Sequence, residues 1–292
     1  MPFVNLHLHT EYSLLDGLTK IKKLVTLLKE QGATACAITD HGNMYGAIEF
    51  YKACKKAEIK PIIGAEMYMC SGSRFDKNSQ NRRNFHLILL AKNTQGYKSL
   101  MKLVSIGQRE GFYYKPRIDW ESLKKYHQGL VCLSACTQGQ VASEILSGDY
   151  DKAKNTASRF QKLFDDDYYL EIQRHQGINE QDIANKGIIK ISRELGIPLV
   201  ATNDCHYLIP TDAFAQDVLM MINTQSTVNT PNRLSMVNTP DFYVKSPKEM
   251  EEQFKDYPEA IENTQKIADK CDLTIELGKW YFPKFKLPND LS

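Results

Sequence analysis

A chain of 292 residues, 42% of them apolar and 25% charged, has ordinary globular composition, which excludes disorder and leaves room for either two domains or one large α/β barrel. A net charge of +2 is too small to imply nucleic acid by itself, because that inference needs basic groups gathered in one place. Seven cysteines with no CxxC pair argue against a disulfide framework, and no apolar stretch approaches the roughly 20 residues that cross a bilayer. With no signal-type start either, the expectation is a cytoplasmic protein without a membrane partner.

The first apolar run, residues 3–9, contains His7 and His9, which a strand would project to one side because its side chains repeat with period two. Asp16 follows just before Gly17, and Leu18, Ile21, Val25 and Leu28 then mark one helical face ending at Gly32. A second strand, 35–39, leads into Asp40 and His41, and Ala47, Ile48, Tyr51 and Cys54 mark the next helix. The third strand, 61–69, carries Glu66; a basic loop at 71–85 precedes His86, which opens a strand over 86–91. A helix at about 95–108 is followed by a second basic and aromatic loop at 109–118, then by a strand at 130–134 that leads into Cys136. Helices at about 150–164 and 179–195 flank strand 167–173 and lead to strand 197–203, which runs into Asp204 and His206, with a further helix at 211–224.

After residue 227 turn-rich segments give way to a helical stretch from Pro247 to about Cys271, and the proline-punctuated end reads as a linker cut short, as in a fragment of a larger protein. The expected organisation is therefore a barrel over 1–228 and a loop, helices and linker over 229–292. Seven apolar strands alternating with helices read as a parallel sheet covered on both faces, and ligand-type residues on at least five segments favour a closed barrel over a doubly wound sheet.

Five histidines, three carboxylates and one thiol make nine candidate ligands: His7, His9, Asp16, His41, Glu66, His86, Cys136, Asp204 and His206. Any one beside an apolar run is an ordinary core or surface residue more often than a ligand. Nine at strand ends are hard to place in a core, because a buried polar group without a partner costs roughly 1–3 kcal/mol. A metal centre satisfies them together. Asp40 reads as a carboxylate that orients an imidazole rather than as a further ligand. In the basic loops Arg82, Arg83, Lys115 and Arg117 are candidate phosphate contacts, weighed against a plain solvated loop. His175, after strand 167–173, is a candidate substrate contact, weighed evenly against a surface role.

Together these residues resemble the polymerase and histidinol phosphatase (PHP) family, in the branch found in bacterial replicative DNA polymerases. His-Leu-His-Thr-Glu-Tyr-Ser-Leu-Leu-Asp-Gly at 7–17, Ile-Thr-Asp-His-Gly-Asn at 38–43, Lys-Pro-Ile-Ile-Gly-Ala-Glu at 60–66 and Ala-Thr-Asn-Asp-Cys-His-Tyr at 201–207 carry the likeness, which runs essentially from end to end. The resemblance implies a distorted seven-stranded β/α barrel with three divalent metals: one at His7, His9, Glu66 and Asp204, a second at Glu66, His86 and Cys136, a third at Asp16, His41 and His206. Glu66 and Asp204 take the catalytic positions. The donor types suit zinc first, with manganese or iron also admitted. The implied activity is metal-dependent phosphoester hydrolysis as a 3′–5′ exonuclease on single-stranded DNA ends, with the polymerase site expected beyond residue 292. The remaining polymerase chain and other replicase subunits are the implied partners. Two alternatives stand beside it: a structural module braced by metal without turnover, and a phosphoesterase acting on small molecules.

Overall fold

Short β-rich apolar runs build one sheet in the computed structural model, which describes residues 3–237, 239–280 and 282–283. Its strands are β1 (Ala35–Ile38), β2 (Lys60–Cys70), β3 (Asn84–Ala91), β4 (Arg117–Ile118), β5 (Leu130–Leu133), β6 (Tyr168–Ile172) and β7 (Leu199–Ala201). They pair in the order β1-β2-β3-β5-β6-β7, with β4, which the sequence reading lacks, added beside β2. The opening segment 3–10 closes the curl by isolated bridges, Asn5 with Cys36 and Leu8 with Cys205. Its backbone accepts from Ala37 N at 2.7 Å and donates from His9 N to Cys205 O at 2.8 Å. The seven expected runs are thus the seven staves of a distorted barrel.

The expectation of an all-parallel sheet is corrected at one stave. β3 runs antiparallel to both β2 and β5. Between β2 and β3 the chain makes a loop with a single helical turn at Ser79–Asn81 instead of a crossover helix, so it returns on itself as a hairpin does. The reversal matters for the site. His86 lies at the start of β3, and only an antiparallel strand brings its start to the rim where the other strands end.

Helices coat the outside. Ile21, Leu24 and Leu28 of α1 (Ile21–Glu30) and Phe50 and Cys54 of α2 (Ala47–Lys56) are buried in one cluster with Cys36 and Ile63. α3 (Thr94–Arg109) starts where the Asn93 side chain accepts from Gly96 N. α4 (Trp120–Lys125), α5 (Gln140–Leu146), α6 (Tyr150–Phe164), α7 (Asn179–Leu195) and α8 (Ala213–Thr224) follow. The expected helical stretch from Pro247 is two helices, α9 (Pro247–Gln253) and α10 (Pro258–Lys270), each opened by its proline.

α10 plugs the end of the barrel opposite the site. Thr264 Oγ1 accepts from Val4 N at 3.0 Å, Asn263 donates to Leu199 O at 2.7 Å and Lys60 Nζ donates to Ala268 O at 2.7 Å, all at strand starts. Its Ile267, with Cys271 just after its end, shares a buried cluster with Val4, Ile62, Ile88, Val131 and Val200. The expected linker falls largely on residues 284–292, outside the described residues.

Candidate metal centre

Period two carries polar side chains onto the rim above that apolar floor. On β3, His86 stands on the face of Ile88 and Leu90; on β6, Glu171 stands on the face of Tyr169. Glu66, 1% exposed, sits at the middle of the cluster. Its Oε1 lies 2.7 Å from His86 Nδ1 and 3.6 Å from His7 Nε2, and its Oε2 lies 2.7 Å from His41 Nδ1 and 3.5 Å from His9 Nε2. Asp204 Oδ1 is 3.1 Å from His7 Nε2, 3.2 Å from His9 Nε2 and 3.6 Å from His206 Nδ1. Cys136 Sγ is 3.8 Å from His86 Nδ1, and Asp16 Oδ2 is 2.9 Å from His41 Nε2.

Three tight groups of donors result: His7, His9 and Glu66; Glu66, His86 and Cys136; and His9, His41 and His206. The first holds three of the four residues that the resemblance implies for one metal, without Asp204, and the second has the same three residues as another implied group. In the third, His9 stands where Asp16 is expected, and Asp16 lies at its edge, 4.0 Å from His206 Nε2. His7 Nε2, His9 Nε2, His41 Nδ1, both oxygens of Glu66 and Asp204 Oδ1 are buried and packed against one another at 2.7–3.6 Å, in close contacts that do not align as hydrogen bonds. Converging, buried nitrogen, oxygen and sulfur donors could hold divalent metal ions.

Neighbouring groups aim the imidazoles. Glu171 Oε1 lies 2.7 Å from His7 Nδ1 and also accepts from Gln173 Nε2, at 2.7 Å, and from Thr202 Oγ1. With Nδ1 held against Glu171, Nε2 is the nitrogen turned toward Asp204 and the other donors. His9 Nδ1 contacts Ser13 Oγ at 3.1 Å, and Ser13 donates to Asp40 at 2.7 Å, so Asp40 orients its imidazole through a hydroxyl. His206 Nδ1 lies 2.8 Å from the carbonyl oxygen of Asp204.

Sequence reading missed Glu171, although a single acid inside Tyr168-Tyr169-Leu170-Glu171-Ile172 is the signal that could have found it. Leu15, Ala135 and Asp204, each at or beside a candidate ligand, hold left-handed backbone at φ 60°, 64° and 47°. Gly139, in the turn after Cys136, is required by close approach: a Cβ there would lie 2.0 Å from Ser134 O.

Burial lowers His9 to about 3, and the neighbouring His41 and His206 add to this. At His41 burial also lowers, but the carboxylates of Glu66 and Asp16 outweigh it and raise the group to about 10. Burial works to raise Glu66 and Asp204, yet the imidazoles around them hold both well below the ordinary carboxylate range. Burial pushes the Cys136 thiol well up, and Asp204 and Glu66 push it further. Metal-free Cys136 is therefore protonated, and ligation requires that proton to leave.

The rim opens into a cavity of about 230 Å³ whose far wall includes His175, Met220, Leu234, Met236 and Phe242. His175 is buried and stacks on Phe242 with ring centroids 4.1 Å apart; burial lowers it to about 4. Lys115 is exposed beside Asp16, His41 and His86, its Nζ 5.3 Å from the Tyr68 ring. Arg82 and Arg83 are exposed, lying over Tyr114 at 4.6 Å and Phe85 at 5.2 Å.

Arg117, expected among the phosphate contacts, is corrected. It is fully buried, and its guanidinium uses four of its five N–H groups on the carbonyls of Gly111, Asn81, Arg74 and Asp76, so it is turned inward and away from a substrate.

The PHP domain family model matches residues 5–175. The DNA polymerase III subunit alpha of Borreliella burgdorferi is 52% identical over 99% of this chain and 25% of its own length. That of Campylobacter jejuni is 47% identical over 99% and 25%, and that of Treponema pallidum 43% over 100% and 25%. The chain spans about a quarter of the length of these curated relatives. Among solved structures, an amidohydrolase from Chromobacterium violaceum aligns at TM-score 0.46 and 13% identity, over 70% of this chain and 87% of its own. A two-domain protein from Bacteroides vulgatus containing a predicted PHP-like metal-dependent phosphoesterase aligns at 0.42 and 14%, over 70% and 52%. With the model matched over more than half of its length, this chain belongs to the PHP domain family.

Proposed function

We propose that this chain is the PHP domain of a bacterial replicative DNA polymerase alpha subunit and hydrolyses phosphodiesters as a metal-dependent 3′–5′ exonuclease on single-stranded DNA ends. One observation carries the reading: nine ligand-type side chains from seven parts of the chain meet at one rim, with both oxygens of Glu66 and Oδ1 of Asp204 turned in among imidazole nitrogens. His7, His9, Asp16, His41, Glu66, His86, Cys136, Asp204 and His206 are the proposed ligands. Zinc is the favoured metal, with manganese or iron as alternatives. Divalent ions bound there supply polarisation of a phosphoryl oxygen and a water of lowered pKa.

The chain's own residues do the rest. Glu171, Ser13 and the Asp204 carbonyl hold three imidazoles so that their free nitrogens face inward. Asp204 and Glu66 line the cavity as the catalytic carboxylates, where the attacking water and the scissile phosphate meet. Lys115 at the mouth, with Arg82 and Arg83 farther out, holds the phosphates that follow. The rest of the polymerase chain and other replicase subunits are the proposed partners.

The test is hydrolysis of 3′-labelled single-stranded DNA by this chain with zinc, manganese or chelator, alongside Asp204→Asn. Metal-dependent shortening from the 3′ end that Asp204→Asn abolishes supports the nuclease. Full burial of His7 and His9 favours, as a second reading, a structural module braced by metal. Under that reading chelator lowers the melting temperature while no DNA is cut. Cleavage of an amino-alcohol phosphate in preference to the oligonucleotide would replace both.

A further inference from the structure

The cavity over the centre has two unlike walls. One is the rim of ligand-type residues; the other is Met220 of α8 with Leu234, Met236 and Phe242, against which His175 stacks. That second wall is fastened from two sides. Arg233 pairs with buried Asp217 of α8 through two contacts of 2.7 Å, and Ser235 donates to the same carboxylate at 2.6 Å. Asn203, next to Asp204, donates to the carbonyls of Asp241 and Tyr243 at 2.8 Å each, and Gln176 N donates to Asp241 Oδ2 at 2.6 Å.

These fastenings keep apolar side chains at the mouth of a strongly polar site, with Leu234 66% exposed. His175, only 7% exposed, keeps its Nδ1 without a partner. A phosphate makes no use of thioether and aromatic surface. A nucleobase does: it is flat and polarisable, it stacks on such surface, and its edge offers hydrogen-bonding groups to an imidazole.

We propose that Met220, Leu234, Met236 and Phe242, with the free ring nitrogen of His175, form a subsite for the terminal nucleobase of the strand. The inference rests on the phosphoesterase reading and adds what the site recognises. In the reaction a water oxygen bonds to the phosphorus of the terminal nucleotide and the P–O3′ bond breaks. The shortened strand keeps that oxygen as a 3′-hydroxyl by taking up a proton. The product is a nucleoside 5′-monophosphate, with its base against the wall and its phosphate at the rim.

Calorimetry of the zinc-loaded chain with thymidine 5′-monophosphate and with 2-deoxyribose 5-phosphate, which lacks the base, tests this. The nucleotide is expected to bind about ten-fold more tightly or better, as stacking of one base allows. Met236→Asp, and Leu234→Asp at the mostly exposed position, should bring the ratio toward one. Equal affinities in the unaltered chain, or an unchanged ratio in two folded variants, would overturn the subsite. A chain that discriminates the two ligands yet cuts no DNA would instead overturn the nuclease reading and leave the subsite standing.

Discussion

Glu66 places both oxygens among imidazoles, whereas Glu171 places one behind a single imidazole, and these positions have different consequences. Glu171→Gln keeps the shape but loses the charge that fixes the proton on His7 Nδ1. We expect metal affinity to fall about 10–100-fold with the fold retained, read by titration against a competing chelator. In the chelated chain, stability should also follow pH in a definite way.

His41, raised to about 10, contributes stability that is full below its unfolded value of 6.5 and is lost as pH rises through 10. His9 and His175, lowered to about 3 and about 4, are buried neutral, so protonation in the unfolded state removes stability as pH falls below 6.5. The depressed carboxylates of Glu66 and Asp204 contribute above their unfolded values near 4 and are lost as pH falls further. The melting temperature of the metal-free chain should therefore peak between these windows, near pH 6–7. A monotonic rise to pH 10 would contradict the His41 environment.

Loops and strands carry the next set of consequences. Arg117 ties the β2–β3 loop to the segment before β4 through four backbone carbonyls, and a lysine cannot match that planar fork. Arg117→Ala should cost about 3 kcal/mol and Arg117→Lys should rescue little, measured by urea denaturation. Arg82→Ala with Arg83→Ala should leave stability within about 0.5 kcal/mol, since both are exposed. The pair should still weaken oligonucleotide binding and flatten its dependence on salt. An unchanged salt slope removes that loop from the site. Gly139→Ala, which sets a methyl group against Ser134 O, should displace the turn behind Cys136 and lower metal content.

For the molecule as a whole, the candidate ligands join staves that are far apart in sequence, so bound metal ties the barrel's rim together. A ligand at a hundred times its Kd stabilises the folded state by about 2.7 kcal/mol per site. Chelation should thus lower the melting temperature by several degrees; no change would mean that the centre is empty or weakly held.

Seven strand-forming runs, the helices between most of them and nine ligand-type side chains were legible in order along the chain, because period two, period 3.6 and donor chemistry are local properties. The reversal of β3 was not, since strand direction is set by what a connection packs against. Arg117 looked like a phosphate contact because sequence shows a charge but not its burial. Glu171 was passed over because its partner, His7, lies 164 residues away. The residue types and their spacing were thus determined by the sequence itself. Which of them meet, and which way each points, was decided only when the sheet curled and the opening segment closed it, because hydrogen bonding between distant strands carries no local signature.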